Sequence, residues 1–375
     1  MVSISTIESE GSGFGRSNLG SVLAQRQSRV TERVRRTGGG SSEYDRELKS
    51  KSSPGWNSPH LLDCFEVARE TFQTNETGTT LPVNCPTQGL DAMLSSLKKY
   101  LAKAAGNSGL KPIPSDKCPY DKPFMMNIHN PLKDDVSKAI FREGCFECDL
   151  LSRLLNTLMV YDDAILLDVG GNIGMWSLTA AAAGHTTYTI EPFPENYKRI
   201  CKSAVMNHPF VERVHVLAMA ATDKQSTFRI DVPKRNMGGG RVKEVDFKGT
   251  VEDETTVVQG FTIDSLNLPT DRPVVLKLDV EGHELQALSG AMKFLTRANI
   301  VYAMTELRPN FVNDGDRTHH AWKKIVRVLT DKGLRPYRVD GKVEMTELNV
   351  NNLETWKHRK HPVVRYFDVI WTKEL

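Results

Sequence analysis

The 375-residue chain contains no uninterrupted apolar run approaching the roughly 18 residues that a membrane-spanning helix needs. Residues 1–13, MVSISTIESEGSG, lack the apolar stretch of a secretory signal. A cytoplasmic setting is therefore the default expectation. Organelle targeting is the alternative raised by the Ser, Gly and Arg of residues 11–41, although Glu8, Glu10 and Glu32 weigh against a transit peptide. The chain also lacks a strong charge of either sign. A net charge of +3 is too mild for the concentrated basic face that nucleic-acid binding requires, so no nucleic-acid partner is expected. No second CxxC or His pair accompanies Cys145-Phe-Glu-Cys148, so a zinc site is incomplete. The six cysteines are expected to be ordinary thiols, because a chain this long has a core and no need of staples. Asn75-Glu-Thr77 is a glycosylation sequon without the secretory signal that would give it meaning.

Apolar residues make up 39% of the chain, and the shortfall falls mainly at the N-terminus. Residues 1–57 read as a disordered Gly-, Ser- and Arg-rich tail. Leu19, Val22, Leu23, Val30 and Val34 share a loose helical face there. Residues 58–160 read as a mixed, largely helical extension, with a helix at 90–105, a breaker-rich loop at 107–122, a strand at 125–129 and an amphipathic helix at 148–158. From 161 to 375 short apolar runs alternate with helical ones. Strands are expected at 164–169, 186–190, 214–220, 274–278 and 300–305, then at 337–339 and 363–371. Helices are expected at 173–183, 194–207, 284–294 and 318–332. Strands apolar throughout, alternating with helices, imply an α/β domain with a mostly parallel sheet covered on both faces.

The first of those strands ends in Asp168-Val-Gly170-Gly171-Asn172-Ile-Gly174. Glycines belong where a strand turns sharply into a helix and a ligand lies against backbone, and the helix presents its positive end to that ligand. The dinucleotide pattern GxGxxG is not met, since Asn172 and Met175 stand where it needs glycine. Asp168 would sit badly beside a pyrophosphate, but it can meet an ammonium group. The next strand closes on Glu191, about 20 residues further on, where Rossmann-like sites place an acid for ribose hydroxyls.

Three further stretches complete the pattern. They are Ala218-Met-Ala-Ala221-Thr-Asp223, Thr262-Ile-Asp264-Ser-Leu266, and Lys277-Leu-Asp279-Val-Glu281-Gly-His283-Glu-Leu285 continuing to Gly290-Ala291. Glu306-Leu307 closes the fifth strand. In order and spacing the chain resembles the FkbM methyltransferase family over about residues 162–307, extending back to about 127. Residues 1–120 are not covered.

The resemblance implies a Rossmann-like class I methyltransferase fold of seven strands. Five of these are parallel, and residues 367–371 form a last antiparallel strand. It implies methyl transfer from S-adenosylmethionine, usually to a hydroxyl oxygen of a small molecule or glycan. Asp168, Gly170, Gly171, Asn172 and Gly174 would hold the methionine end of the donor, Glu191 the ribose, and Ala221 and Asp223 the adenine side.

On the acceptor side Asp279 is the first candidate, because ligands bind at strand carboxyl ends in open α/β sheets. Glu306 and His283 stand nearby in sequence. His283 is either a base or a helix-start surface residue. Lys277 either orients a carboxylate or forms a structural ion pair. Asp279 and Glu306 alone fall short of a magnesium shell, so no metal is expected, with a divalent ion as the alternative. Gly238-Gly-Gly240-Arg241 is either a lid over the acceptor or a loop without a role. A donor-binding protein without turnover and a nicotinamide oxidoreductase are the competing readings.

Overall fold

Residues 165–169 carry side chains that are all buried, and the strand they form has neighbours on both edges. The computed structural model describes residues 60–64, 66–67, 79–83, 124–207, 210–233, 236, 238–245, 256–307, 316–340, 344–356 and 366–373. The expected tail, the helix at 90–105, the loop at 107–122, the sequon, Cys85 and Cys118 lie outside these residues.

In chain order the elements begin with β1 (Thr79–Val83) paired antiparallel to β2 (Phe124–Ile128). Helices α1 (Asp135–Glu143) and α2 (Cys148–Val160) follow. The alternating core is β3 (Ile165–Val169), α3 (Met175–Ala183), β4 (Thr186–Ile190), α4 (Pro194–Met206) and β5 (Val214–Leu217). Next come β6 (Ala220–Ala221), β7 (Ser226–Asp231), β8 (Arg241–Glu244) and β9 (Val257–Phe261). The chain then returns through β10 (Pro273–Leu278), α5 (Glu284–Ser289), α6 (Met292–Arg297), β11 (Asn299–Leu307) and α7 (Asp316–Asp331). It closes with β12 (Arg335–Asp340), β13 (Glu344–Glu347) and β14 (Phe367–Thr372).

Among the described residues the main sheet has eight strands, in the order β13-β12-β14-β11-β10-β3-β4-β5. Five of them, β5, β4, β3, β10 and β11, run parallel to one another. β14 is antiparallel to β11, as expected for residues 367–371. The expectation of seven strands is corrected by β13, which extends β12 as a hairpin at the edge. Alternate residues of each strand face opposite sides. Ile165, Leu167 and Val169 join a core with Leu288, Phe294, Trp322, Ile325 and Leu329 of α5 to α7. Leu166, Val275 and Tyr302 join a second core with Leu151, Leu154 and Leu158 of α2 and with α3 and α4.

Two other differences from the sequence reading have physical causes. The expected strand at 214–220 is divided. β5 stops at Leu217, and Ala220–Ala221 leaves the main sheet to pair with β9 in a second sheet of order β6-β9-β7-β8. The expected helix at 284–294 is broken at Gly290. A side chain there would bring a Cβ within 1.9 Å of the Thr222 carbonyl oxygen, so the backbone of the 221–223 turn lies against this point.

The thiol expectation is also corrected. Cys64 is disulfide-bonded to Cys201, and Cys145 to Cys148. Residues 60–62 lie antiparallel along the open edge of β5, with Leu62 N donating to Val216 O at 2.9 Å. That pairing carries Cys64 to α4. The size of a core decides whether a protein needs a disulfide, not whether two cysteines meet.

Candidate functional site

The turn after β3 is shaped first by the protein's own backbone. Gly170 has φ +84°, and a Cβ on it would lie 1.7 Å from the Asp279 carbonyl oxygen. Only glycine lets the end of β3 pass the end of β10 this closely. Gly171 packs over Thr189, and Gly174, at φ +88°, sits on Ile200 and precedes α3. Asn172 takes φ 49°. Asn is among the residues that tolerate this region, and its Oδ1 accepts from Ile173 N at 2.8 Å.

Asp168 is fully buried on the α2–α4 face of the sheet. Its Oδ2 accepts from Ser177 Oγ at 2.6 Å, while Oδ1 lies 3.7 Å from Lys277 Nζ. Lys277, opposite it on β10, is 3% exposed. Its ammonium donates to Gly170 O at 2.8 Å and lies 3.6 Å from Asp279 Oδ2. Burial favours neutral Lys277, but Asp279, Asp168, Glu147 and Glu306 override it and hold the ammonium above its ordinary value. Burial likewise pushes Asp168 up, opposed by Lys277 and the Ser177 bond. Lys277 is thus a structural ion pair that also ties the glycine turn to Asp279.

Glu191, at the end of β4, is 5% exposed. Three donors converge on it: Asn172 N at 2.8 Å, Phe193 N at 2.9 Å and Asn196 Nδ2 at 3.3 Å. A carboxylate offers about four lone-pair positions, so one acceptor position remains for a hydroxyl. Burial pushes Glu191 up to about 7, against these bonds and the charge of Lys277. Residues 238–240 cover this corner. Gly238 N donates to Asp134 Oδ1 at 2.8 Å, and Gly238 O accepts from Asn196 Nδ2 at 2.9 Å and Asn172 Nδ2 at 3.3 Å. The loop therefore rests on the glycine turn. Arg241 lies 3.3 Å from Glu281 and donates to Tyr366 Oη at 3.0 Å.

Ala221 is buried and Asp223 exposed, on the turn that crosses Gly290. The neighbouring Thr262-Ile-Asp264 run is structural. Asp264 accepts from Phe294 N at 2.7 Å and Lys293 N at 3.0 Å, capping α6.

A second group of acids gathers at the carboxyl ends of β10 and β11 and the amino end of β14. Glu306 lies directly across from Asp368 in the antiparallel pair. Burial pushes Glu306 up to about 10, reinforced by Asp279, Asp368, Glu281 and Glu284. Asp368 is raised to about 6 by burial and Asp279. Glu147, half-buried at the start of α2, is raised to about 8 by burial, then by Asp368 and Asp279. Asp368 and Glu147 are not among the site residues expected from the sequence. Asp368 sits in a late strand with no motif around it, and Glu147 lies inside the CxxC pair that read as plain thiols.

The structure does not bring His283 to this group. Its Nε2 lies 3.3 Å from Thr222 Oγ1 and its ring meets Phe228 edge-on at 5.4 Å, on the side of Ala221 and Asp223. Burial lowers it, opposed by Asp223 and Glu244. As the first residue before α5, it follows the backbone of the Glu281–Gly282 turn, whose positive φ values swing it away from Glu306. Among the described residues no group of three or more His, Cys, Asp or Glu is arranged to hold a metal ion.

The family model for the methyltransferase FkbM domain matches residues 168–336. This region is therefore similar to the FkbM methyltransferase domain. A solved methyltransferase FkbM from Methylobacillus flagellatus KT is 17% identical, with 56% of this chain and 43% of that one covered and a TM-score of 0.33. The chain thus spans less than half the length of that relative. A magnesium protoporphyrin IX methyltransferase from Synechocystis is 11% identical, covering 61% and 78% with a TM-score of 0.32. An rRNA methylase from Streptococcus thermophilus is 12% identical, covering 61% and 98% with a TM-score of 0.31. No curated protein matches the chain. The matched region includes all the candidate donor and acceptor residues named above except Glu147 and Asp368. No described helix is long and apolar enough to cross a membrane.

Proposed function

We propose that the FkbM-like region transfers the methyl group of S-adenosylmethionine to a hydroxyl oxygen on a small molecule or glycan. The observation that carries this reading is the pair of buried carboxyl groups, Asp168 and Glu191, at the carboxyl ends of adjacent parallel strands on either side of the 170–174 turn. Asp168 keeps an oxygen with no hydrogen bond from any described residue, and Glu191 keeps one open acceptor position. These suit a donor ammonium and a ribose hydroxyl. Gly170, Gly171, Asn172 and Gly174 would line the methionine end, and Ala221 and Asp223 the adenine side.

The bound donor would supply an already activated methyl group, so the protein needs mainly to position the reactants and exclude water. Asp279 would accept the proton that the acceptor hydroxyl gives up when the donor supplies its methyl group. Lys277, 3.6 Å from Asp279, anchors that carboxylate. Glu306, raised to about 10, keeps its proton at neutral pH, so its role is to donate a hydrogen bond to the acceptor and not to act as base. His283 borders the adenine side. No metal enters this scheme, and no nucleic acid is its acceptor.

The test uses methyl-labelled S-adenosylmethionine and a panel of hydroxylated small molecules and sugars, with Asp279→Asn as control. Label in an ether linkage, lost in Asp279→Asn, is the expected result. Label only on nitrogen or nucleic acid, or activity abolished by EDTA and restored by magnesium, contradicts it.

A further inference from the structure

His129 follows β2 and is 1% exposed. Its Nε2 lies 2.8 Å from Asn196 Oδ1. The amide nitrogen of Asn196 is committed elsewhere, reaching Gly238 O at 2.9 Å and Glu191 Oε1 at 3.3 Å. Both of those partners are acceptors, so that atom must be the NH2 group. The amide oxygen therefore faces His129, and the proton between them must come from the imidazole. The ring carries its hydrogen on Nε2, and Nδ1 has no hydrogen-bond partner among the described residues. With the other tautomer the amide would turn round and set its oxygen against two acceptors at once.

We propose that His129 is a positioning residue of the donor site: through Asn196 it fixes the one amide that holds both the Glu191 carboxyl group and the Gly238 carbonyl. This rests on the donor reading given above. The backbone N–H of His129 lies 3.0 Å from Ser137 Oγ, beside the Asp134 cap whose other oxygen receives Gly238 N. The covering loop and the ribose acid are thus set by one connected network.

The charges facing His129 are Arg199 and Glu195 of α4 and Asp134 ahead of α1. Burial and Arg199 lower the imidazole, opposed by the Asn196 bond, Asp134 and Glu195, so it stays neutral near pH 7. Glu191 faces Lys277 of β10 and is held down in part by the Asn196 bond. Loss of His129 releases the amide, and Glu191 then protonates at higher pH. A protonated Glu191 is the weaker partner for a ribose hydroxyl.

Two measurements test this. Nitrogen-15 imidazole spectra of the donor-free wild type, assigned by loss of the signal in His129→Gln, should show the Nε2–H tautomer. The Nδ1–H tautomer would overturn the relay without any reference to the donor. Affinity for S-adenosylhomocysteine is then followed across pH 5–9 in wild type, His129→Gln and His129→Leu. His129→Gln, which keeps a donor near the Nε2 position, should retain the wild-type midpoint. His129→Leu should move it upward by about half a pH unit or more. An unmoved midpoint in folded His129→Leu reduces His129 to packing. Should His129→Leu fail to fold, the tautomer still decides. Absence of binding by wild type would remove the donor reading, and the relay's ligand with it.

Discussion

Asp168 and Glu191 on one side of the site, and Glu306, Asp368 and Glu147 on the other, are all carboxyl groups drawn out of water. Their surroundings differ. On the glycine-turn side each acid meets donors: Ser177 and Lys277 for Asp168, two backbone N–H groups and an amide for Glu191. On the β11–β14 side the acids meet mainly one another, with Lys277 as the cation acting on Asp368 and Glu147. The first side is organised before any ligand arrives. The second holds protons, because burial disfavours the charged carboxylates and neighbouring acids add to that effect. A donor of fixed chemistry suits a finished pocket, whereas an acceptor hydroxyl suits groups that can share hydrogen.

The largest effect should come from joining the two sides wrongly. Gly170→Ala forces a Cβ onto the Asp279 carbonyl at a positive φ. We expect a loss on the order of 3 kcal/mol or failure to fold, read by denaturant unfolding. An unchanged midpoint would mean that the two strand ends are not held together as described.

The Cys64–Cys201 and Cys145–Cys148 disulfides sharpen the contrast. Cys64–Cys201 closes a separation of 137 residues and pins the segment at the β5 edge to α4, the helix that follows Glu191. Its removal by Cys64→Ser with Cys201→Ser should cost about 2–4 kcal/mol. Cys145–Cys148 spans only 3 residues, so its removal should cost less stability. Its effect should fall on Glu147 and therefore on acceptor KM more than on donor affinity. Equal losses of donor affinity in both pairs would erase the distinction.

The pH dependence follows from the raised acids. Glu306 and Glu147 have folded values of about 10 and about 8, above their unfolded value of 4.5. The unfolded chain releases these protons first. The stability these two acids contribute is therefore full below about pH 4.5 and falls as pH rises through the window up to the folded values. Glu306→Gln should flatten the alkaline decline of Tm, while Glu191→Gln should flatten only the part below about pH 7. A Tm that rises between pH 6 and 9 in wild type would reverse the sign and refute the proton-storing side. The smallest effect is expected at Asp264→Ala, which removes the α6 cap at about 1 kcal/mol and leaves both sides intact.

The same contrast explains what could be read from the chain. Asp168, the 170–174 turn and Glu191 lie close together in sequence and follow from strand–turn–helix geometry, so their positions were legible. Asp264 and Gly290 were legible as motif residues but not in what they do, which depends on contacts with segments some 30–70 residues away in the chain. The β6–β9 sheet was missed although Phe228 and Ile230 alternate inward, because the run is short and polar between them. Glu147 and Asp368 were beyond reach, since four separate elements must fold before those acids meet. His283 was grouped by sequence distance from Asp279, and the positive-φ turn between them undid that grouping.

The central claim is that Asp168 and Glu191 form a donor site. Calorimetric titration with S-adenosylmethionine tests it most directly, using wild type, Asp168→Asn, which can keep the Ser177 bond, and Glu191→Gln, with NADH as control. Saturable binding to wild type, weakened at least about tenfold in each variant and absent for NADH, is the result this account expects. No binding by folded wild type, or equal binding in all three proteins, would contradict it.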